Sequence, residues 1–527
     1  MTGLPARNDA AHPRDEPDGS DGVPGRSRLA APHSSHTPSP VQRPAWRPIG
    51  APLLHPAATG GVAGRQFPPR ADETASDRPS GRVARLVTQV LINRDFRRLW
   101  TGQAISTVGD IAFTTALVLW IASLLAKDQP WAPLAVSGVI LSAAVPEIVA
   151  GPIAGVFVDR WDKRGTMLRM NAMQAIAATL LLLATNSVPL PFLPGGHIPV
   201  SWQLGLIYAD VALITIMAQF FNPAQFALIK DIVPETGQDQ ALETSQATAG
   251  LAIIIGPPVA ALLVFGLGVG WALLLNGLSF VASYVAILAI EAPQSASSLH
   301  DGERGHFVRE FLAGLRYVIS HTVLRTILTA EVLTWLGFGA LETLGYFFIT
   351  ENLHASASYY GYLGADFGVG SIVGALFVTF AGQRIGLARI LWVALITCGT
   401  FVIVMSHLTN FYLALGAAFL FGVSATAIIV TAGPLALHST SREFVGRVTA
   451  VINPVGRLAA LISVVVAGYL VSTVLHGFHA RVLGITFGPV NSVFTGMGLL
   501  AVAGGIYARI NLRKVLGRPD NDDGATH

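Results

Sequence analysis

Twelve stretches of about twenty apolar residues follow one another from about residue 97 onward. At 1.5 Å of rise per residue, a helix of ~20 residues crosses the ~30 Å hydrocarbon core of a bilayer. The approximate limits are 99–125, 132–157, 166–187, 204–229, 242–266, 269–290, 326–350, 358–381, 388–407, 410–436, 449–475 and 485–509. In hydrocarbon each backbone amide and carbonyl needs a partner inside its own segment, so these stretches are predicted to be helices. The fold class that follows is an all-α polytopic membrane protein with twelve transmembrane helices. Composition agrees, with 52% hydrophobic and only 12% charged residues. A soluble domain carries roughly twice that charged fraction.

Lys and Arg set the expected orientation. With the N-terminus in the cytoplasm, inner segments from Arg94 on hold twenty Lys and Arg, and outer loops hold only Lys127 and Arg481. That bias places both termini in the cytoplasm. The net charge of +3 gives no reason to expect a nucleic-acid partner. The single cysteine, Cys398, excludes an intramolecular disulfide and any CxxC metal or redox site. His476 and His479 lie close together in an expected outer loop, and we expect no metal.

Residues 1–92 are rich in Pro, Gly, Ser and Arg and lack apolar periodicity, so a disordered cytoplasmic tail is expected. Two bundles follow, at 93–291 and 326–511, joined by a cytoplasmic linker at 292–325 and closed by a tail at 512–527. In the linker, Phe307, Phe311, Leu315 and Ile319 recur at helical spacing opposite Arg309 and Arg316, which predicts an amphipathic interfacial helix. The bundles echo each other. GVFVDRWDKR follows the second segment and GQRIGLAR the eighth, while NPAQFALI near the end of the fourth resembles GPLALHS near the end of the tenth. Six segments repeated in parallel predict two six-helix pseudo-repeat bundles.

Gly155, Asp159, Arg160, Lys163 and Arg164 match the signature of the major facilitator superfamily between its second and third spans, with Asp162 where a glycine is usual. The stretches NRDFRRLWTGQAISTVGD at 93–110, FFNPAQFALIKDIVPE at 220–235 and REFVGRV at 442–448 resemble the macrolide-efflux and enterobactin-exporter branch, in the right order over about 94–515. The resemblance implies a major facilitator fold and a secondary transporter. It implicates the loop at Gly155–Arg164 in conformational change, as an inner gate whose Arg160, Lys163 and Arg164 pair with acids or helix ends of the other half. The second-half copy keeps Gly382, Arg384 and Arg389 but lacks the aspartate.

Seven charged residues fall inside apolar segments away from their ends: Asp110, Glu147, Asp210, Glu331, Glu342, Asp366 and Arg457. A charge at mid-bilayer costs ~3 kcal/mol or more, so each is expected to face the protein interior or a water-filled cavity. The acids are candidates for carrying coupling protons, Asp110 first, because it is deep and its Gly-Asp pair resembles the family. The alternative is a structural lock between two helices. Arg457 is expected to pair with one acid or to act on substrate. Glu331 and Glu342 share a helical face by spacing.

Gly256, Pro257 and Pro258 predict a kink in the fifth segment, loosely resembling a facilitator antiporter element. Gly364, Gly368, Gly370 and Gly374 predict close helix packing in the eighth. GLGVG at 266–270 joins two membrane segments and lacks the strand, helix and lysine of a nucleotide loop. No HExxH, GxSxG or ATPase motif occurs, so an enzyme and an ATPase subunit are not expected.

The leading expectation is a monomeric exporter of a small amphiphilic molecule (a drug, a macrolide-like metabolite or a siderophore) by proton antiport. It needs no cofactor and sits in a bacterial cytoplasmic membrane. Uptake by symport or uniport of a defined solute is the second reading, and a membrane sensor or enzyme the third.

Overall fold

The computed structural model describes residues 92–158, 160–186, 197–291, 307–440, 444–482 and 485–516. The expected N-terminal tail to residue 91, the linker before Phe307 and the C-terminal tail after Leu516 lie outside them. Six helices form the first half: α1 (Arg94–Trp120), α2 (Ala132–Val158), α3 (Lys163–Leu180), α4 (Val200–Ile232), α5 (Gln238–Leu262) and α6 (Val269–Leu288). The linker helix α7 (Phe307–Ser320) leads into α8 (Thr322–Phe347), α9 (Tyr360–Ile385), α10 (Leu387–His407), α11 (Phe411–His438), α12 (Val445–Tyr469) and α13 (Pro489–Leu516). Leaving α7 aside, twelve helices among the described residues are long and apolar enough to cross a membrane.

Local chemistry explains the boundaries. Asn93 caps α1 by accepting from the Phe96 amide at 2.7 Å, and Asn410 caps α11 by accepting from Tyr412 and Leu413. Gly386, at φ +86°, turns the chain from α9 into α10 within one residue, a conformation that disfavours a side chain. The last helix corrects the sequence reading. Residues 485–487 form a strand, β2 (Ile485–Phe487), antiparallel to β1 (Ala480–Val482), and the helix starts only at Pro489. Apolar residues alone did not separate strand from helix there. Proline fits the first helical turn because the amide it lacks has no helical partner.

Small residues let the helices meet. On α9, Gly361, Gly364 and Gly368 face α5 at Pro257, Pro258 and Ile254, while Gly370 and Gly374 face the α11 backbone at Phe419 and Val423. One glycine-rich helix therefore packs closely on two sides. Gly256 leaves room for Ile111 of α1, and α5 runs through Pro257 and Pro258 as one helix. On α7, Val318 is buried, Gly314 sits on the Arg447 carbonyl of α12, and Tyr317 stacks on Phe444 with ring centroids 4.4 Å apart. Ile319 was expected on the same stripe as Leu315 but is half-exposed, because the packed face is centred on Gly314 and Val318.

The two halves meet along α2 with α12 and along α5 with α9. Three hydrogen bonds between the halves lie along the first pair and the turn that follows α12. The Leu134 amide donates to Ser472 Oγ at 3.1 Å, Ser137 Oγ donates to the Val464 carbonyl at 2.9 Å, and Arg457 bonds Glu147 at 3.0 Å. These contacts run from one end of the bundle toward the end that carries the α2–α3 loop and α7. We call the latter the basic end. Past Glu147 and Arg457, no hydrogen bond or ion pair among the described residues joins α2 to α12.

Candidate functional site

The Glu147–Arg457 contact belongs to a longer chain of side chains. On α8, Glu331 and Trp335 stand one turn apart, and the indole Nε1 donates to Glu331 Oε2 at 3.0 Å. The Arg457 guanidinium of α12 lies over the Trp335 ring, 5.6 Å from its centroid, and donates from Nη2 to Glu147 Oε1 of α2 at 3.0 Å. A side chain at Gly456 would press on the Trp335 ring, so the glycine lets α12 approach the indole. An acid, an aromatic donor, a cation and a second acid thus connect α8, α12 and α2. Glu331 is buried, whereas the Glu147 and Arg457 side chains remain 42% and 57% exposed. The sequence left Arg457's partner open, and Trp335 was missed. Its signal was present, since position i+4 from a buried acid on a helix faces that acid.

Glu331 and Arg457 open onto a cavity of about 380 Å³ lined by α8, α11 and α12. Glu342, three turns along α8, opens onto a different one, of about 340 Å³, lined from both halves by α1, α5, α8, α9 and α11. Phe338, Phe367 and Phe421 meet there, with centroids 5.3, 5.8 and 5.7 Å apart in the three pairings, and Tyr360 and Ile111 also contribute. Among the residues lining this cavity, Glu342 is the one carboxylate and no basic side chain appears. The two glutamates share a helix and face different spaces.

The remaining acids sit elsewhere. Asp110 lies where α1 meets α6. Gly109 packs on Ser279 and Asn276, which brings the Asn276 side chain within hydrogen-bonding reach of Asp110. Nearby, Gln103 of α1 and Asn171 of α3 both donate to Ser283 of α6, at 3.0 and 2.7 Å. Asp110 therefore belongs to a polar seam inside the first half, and it does not line the cavity that Ile111 and Thr114 line. Asp210 and Asp366 each keep one buried carboxyl oxygen without a hydrogen-bond partner among the described residues.

In the loop after α2, Asp159 lies outside the described residues. Asp162, where the family pattern has glycine, caps α3 by accepting from the Gly165 amide at 2.7 Å. Lys163 pairs with Asp231 of α4 at 2.7 Å, and Arg164 donates to the Ile287 and Leu288 carbonyls at the end of α6. A cation at a helix C-terminus is favoured by the orphan carbonyls and the macrodipole. The acid and helix end expected from the other half are thus supplied here by the same half. Arg160 is exposed, and Gly155 has open space where a Cβ would point. In the second half, Gly382 makes only an ordinary contact with Leu387, and Arg384 and Arg389 are exposed. Among the described residues, no group of three or more His, Cys, Asp or Glu is placed to hold a metal.

Comparison with known proteins places this geometry. The chain is similar to macrolide efflux protein A of Streptococcus pyogenes, 20% identical over 288 residues, covering 55% of this chain and 67% of that protein. It is also similar to YvqJ of Bacillus subtilis (strain 168), an uncharacterized MFS-type transporter, 22% identical over 416 residues and covering 77% of this chain and 92% of YvqJ. Among solved structures, a bacterial homologue of the iron transporter ferroportin in its inward-facing state superposes with a TM-score of 0.58 at 12% identity, covering 81% of this chain and 99% of that one. The family model of the Major Facilitator Superfamily matches residues 99–462, which span both halves and the chain of side chains between them. The chain belongs to the Major Facilitator Superfamily and is a membrane transporter, not an enzyme.

Proposed function

We propose that the protein exports a small amphiphilic molecule by proton antiport, through alternating access of the cavity between its halves. The observation that carries this reading is the cavity at Glu342, where three phenylalanines and a tyrosine surround a single carboxylate. Such a space takes an apolar body by burial and one polar or charged group by the carboxylate. The efflux role named for the Streptococcus pyogenes relative supports the direction. The excess of Lys and Arg at the basic end supports a cytoplasmic placement of that end, in a bacterial inner membrane. The described hydrogen bonds between α2 and α12 stop short of that end, which suits loading from the cytoplasm.

The coupling proton is assigned to Glu342. Substrate enters with the carboxylate charged. After release outside, an external proton neutralises Glu342, and the emptied cavity closes without burying a bare charge, which would be costly in hydrocarbon. The proton leaves when the cavity faces the cytoplasm again. Glu342 shares α8 with Glu331 and Trp335, on which the Arg457–Glu147 contact between the halves is built. No cofactor or ATPase subunit enters this cycle, and one chain suffices for it.

Purified protein in proteoliposomes with an imposed pH gradient tests this. Candidate drugs and siderophores are screened for substrate-driven proton movement in the native protein, Glu342→Gln and Asp110→Asn. Proton movement that survives in Asp110→Asn and disappears in Glu342→Gln is expected. Loss only in Asp110→Asn moves the coupling site to the α1–α6 seam. Substrate transport without proton movement in the native protein overturns antiport.

A further inference from the structure

We infer that the lipid-facing side of the second half holds one anionic glycerophospholipid, its phosphate on Arg384 and Arg389 and one acyl chain in the groove between α9, α10 and α11. This rests on the membrane placement of the helices and not on the export reading. The groove has a volume of about 340 Å³ and is lined by apolar side chains with one hydroxyl pair. Its origin is in the glycine pattern. Gly370 and Gly374 press α9 onto α11, and past them Phe377 and Ile385 of α9 line the groove.

Length and polarity match an acyl chain. The groove runs along α10 from Ile390 to Phe401, which is about 16 Å at 1.5 Å per residue. One leaflet supplies about half of the ~30 Å hydrocarbon core. The hydroxyls present, Thr397 and Ser424, bond each other at 3.0 Å and also bond their own helix backbones, so they ask nothing of an occupant. Phe377 and Val393 are 46% and 41% exposed along its open side.

The headgroup position follows from helix periodicity. Arg389 lies one turn toward the basic end from Val393, and Arg384 two turns from Phe377, so each shares a face with a groove-lining residue. Both are exposed, and neither guanidinium forms an ion pair or hydrogen bond among the described residues. Two unpaired guanidiniums over the mouth of a one-chain groove fit a phosphate better than a zwitterionic headgroup, whose own amine offsets its charge. The second-half copy of the gate motif thus has a use that needs no contact with the other half.

The test is native mass spectrometry of the delipidated full-length protein, titrated with phosphatidylglycerol or phosphatidylcholine of equal chain length. Each basic residue near an anionic lipid surface contributes about fivefold. Native protein is therefore expected to retain a first phosphatidylglycerol at about 25-fold lower concentration than phosphatidylcholine. The Arg384→Gln/Arg389→Gln variant should lose that preference, while Lys230→Gln, an exposed change elsewhere at the basic end, keeps it. Val393→Trp, which fills the groove from its exposed side, should weaken retention of both lipids. Equal binding of the two lipids by native protein overturns the proposal without any variant. So does an unchanged preference in the double variant, or displacement of phosphatidylglycerol by millimolar inorganic phosphate together with no effect of Val393→Trp. That last result would describe a phosphate site without a chain.

Discussion

Glu147 and Arg457 stand 310 positions apart, and no periodicity connects them. The sequence showed that each was a charge inside an apolar segment and therefore needed a polar surrounding. It could not show that they meet, because pairing across halves is decided by how two bundles dock. Trp335 was within reach of sequence reasoning through its spacing from Glu331. Its contact with Arg457 was not. The pair is about half-exposed, and an exposed ion pair contributes ~0–1 kcal/mol to stability. Its value lies in position, as the last bond between α2 and α12 before the halves part. Glu147→Gln is therefore expected to leave the unfolding temperature in detergent nearly unchanged while lowering transport by about tenfold, within the usual range of coupling energies. The swap Glu147→Arg/Arg457→Glu should recover part of the rate, since the pair is restored while the stacking on Trp335 is lost. Native transport by Glu147→Gln would reduce the contact to an incidental surface bridge.

The elements were the most legible level. Each apolar segment became a helix near its expected place, because a chain in hydrocarbon has few other ways to satisfy its backbone. The exceptions lie at the ends, where that constraint lapses. Strand β2 was read as the start of a helix, and α4 runs several residues beyond its apolar core at both ends. The glycines of the eighth segment announced close packing, but not that one helix would serve two partners. That division yields a contrast. At Gly370 a side chain would collide with the Phe419 carbonyl, a backbone atom that cannot rotate away, whereas at Gly416 of α11 nothing lies within 4 Å. Overpacking a tight contact costs about 1–3 kcal/mol. Gly370→Leu is expected to lower the unfolding temperature measably in a detergent melt, and Gly416→Leu to leave it unchanged. Equal melts for the two would mean that α9 and α11 separate readily and that the glycines are not what joins them.

At the scale of the molecule, the sequence carried the six-plus-six repeat and the gate motif but not the state in which the halves are found. That state is a balance between two dockings of the same surfaces, and a sequence encodes both. Gly155, Arg160, Lys163 and Arg164 illustrate it. The motif predicted contacts with the other half, yet Gly155 faces open space and Lys163 and Arg164 bond their own half. An unneeded glycine beside a ready set of charges makes sense if the basic ends close on each other in the opposite state. The opposite end must then open, which predicts that linking it will stop the cycle. Ser137 of α2 and Gly468 of α12 offer the place: a Cβ at Gly468 would lie 3.2 Å from that of Ser137, near the 3.5–4.5 Å of a disulfide. Cys398 is buried and is the protein's only cysteine, so Cys398→Ala gives a clean background. With Ser137→Cys and Gly468→Cys added, oxidation is expected to form the bond in full-length protein and to bring proteoliposome transport to the protein-free baseline, and reduction to restore it. A cross-linked protein that still transports at the reduced rate would mean that α2 and α12 stay docked throughout. The cavity at Glu342 would then have to reach the far side by a path other than the parting of the two halves.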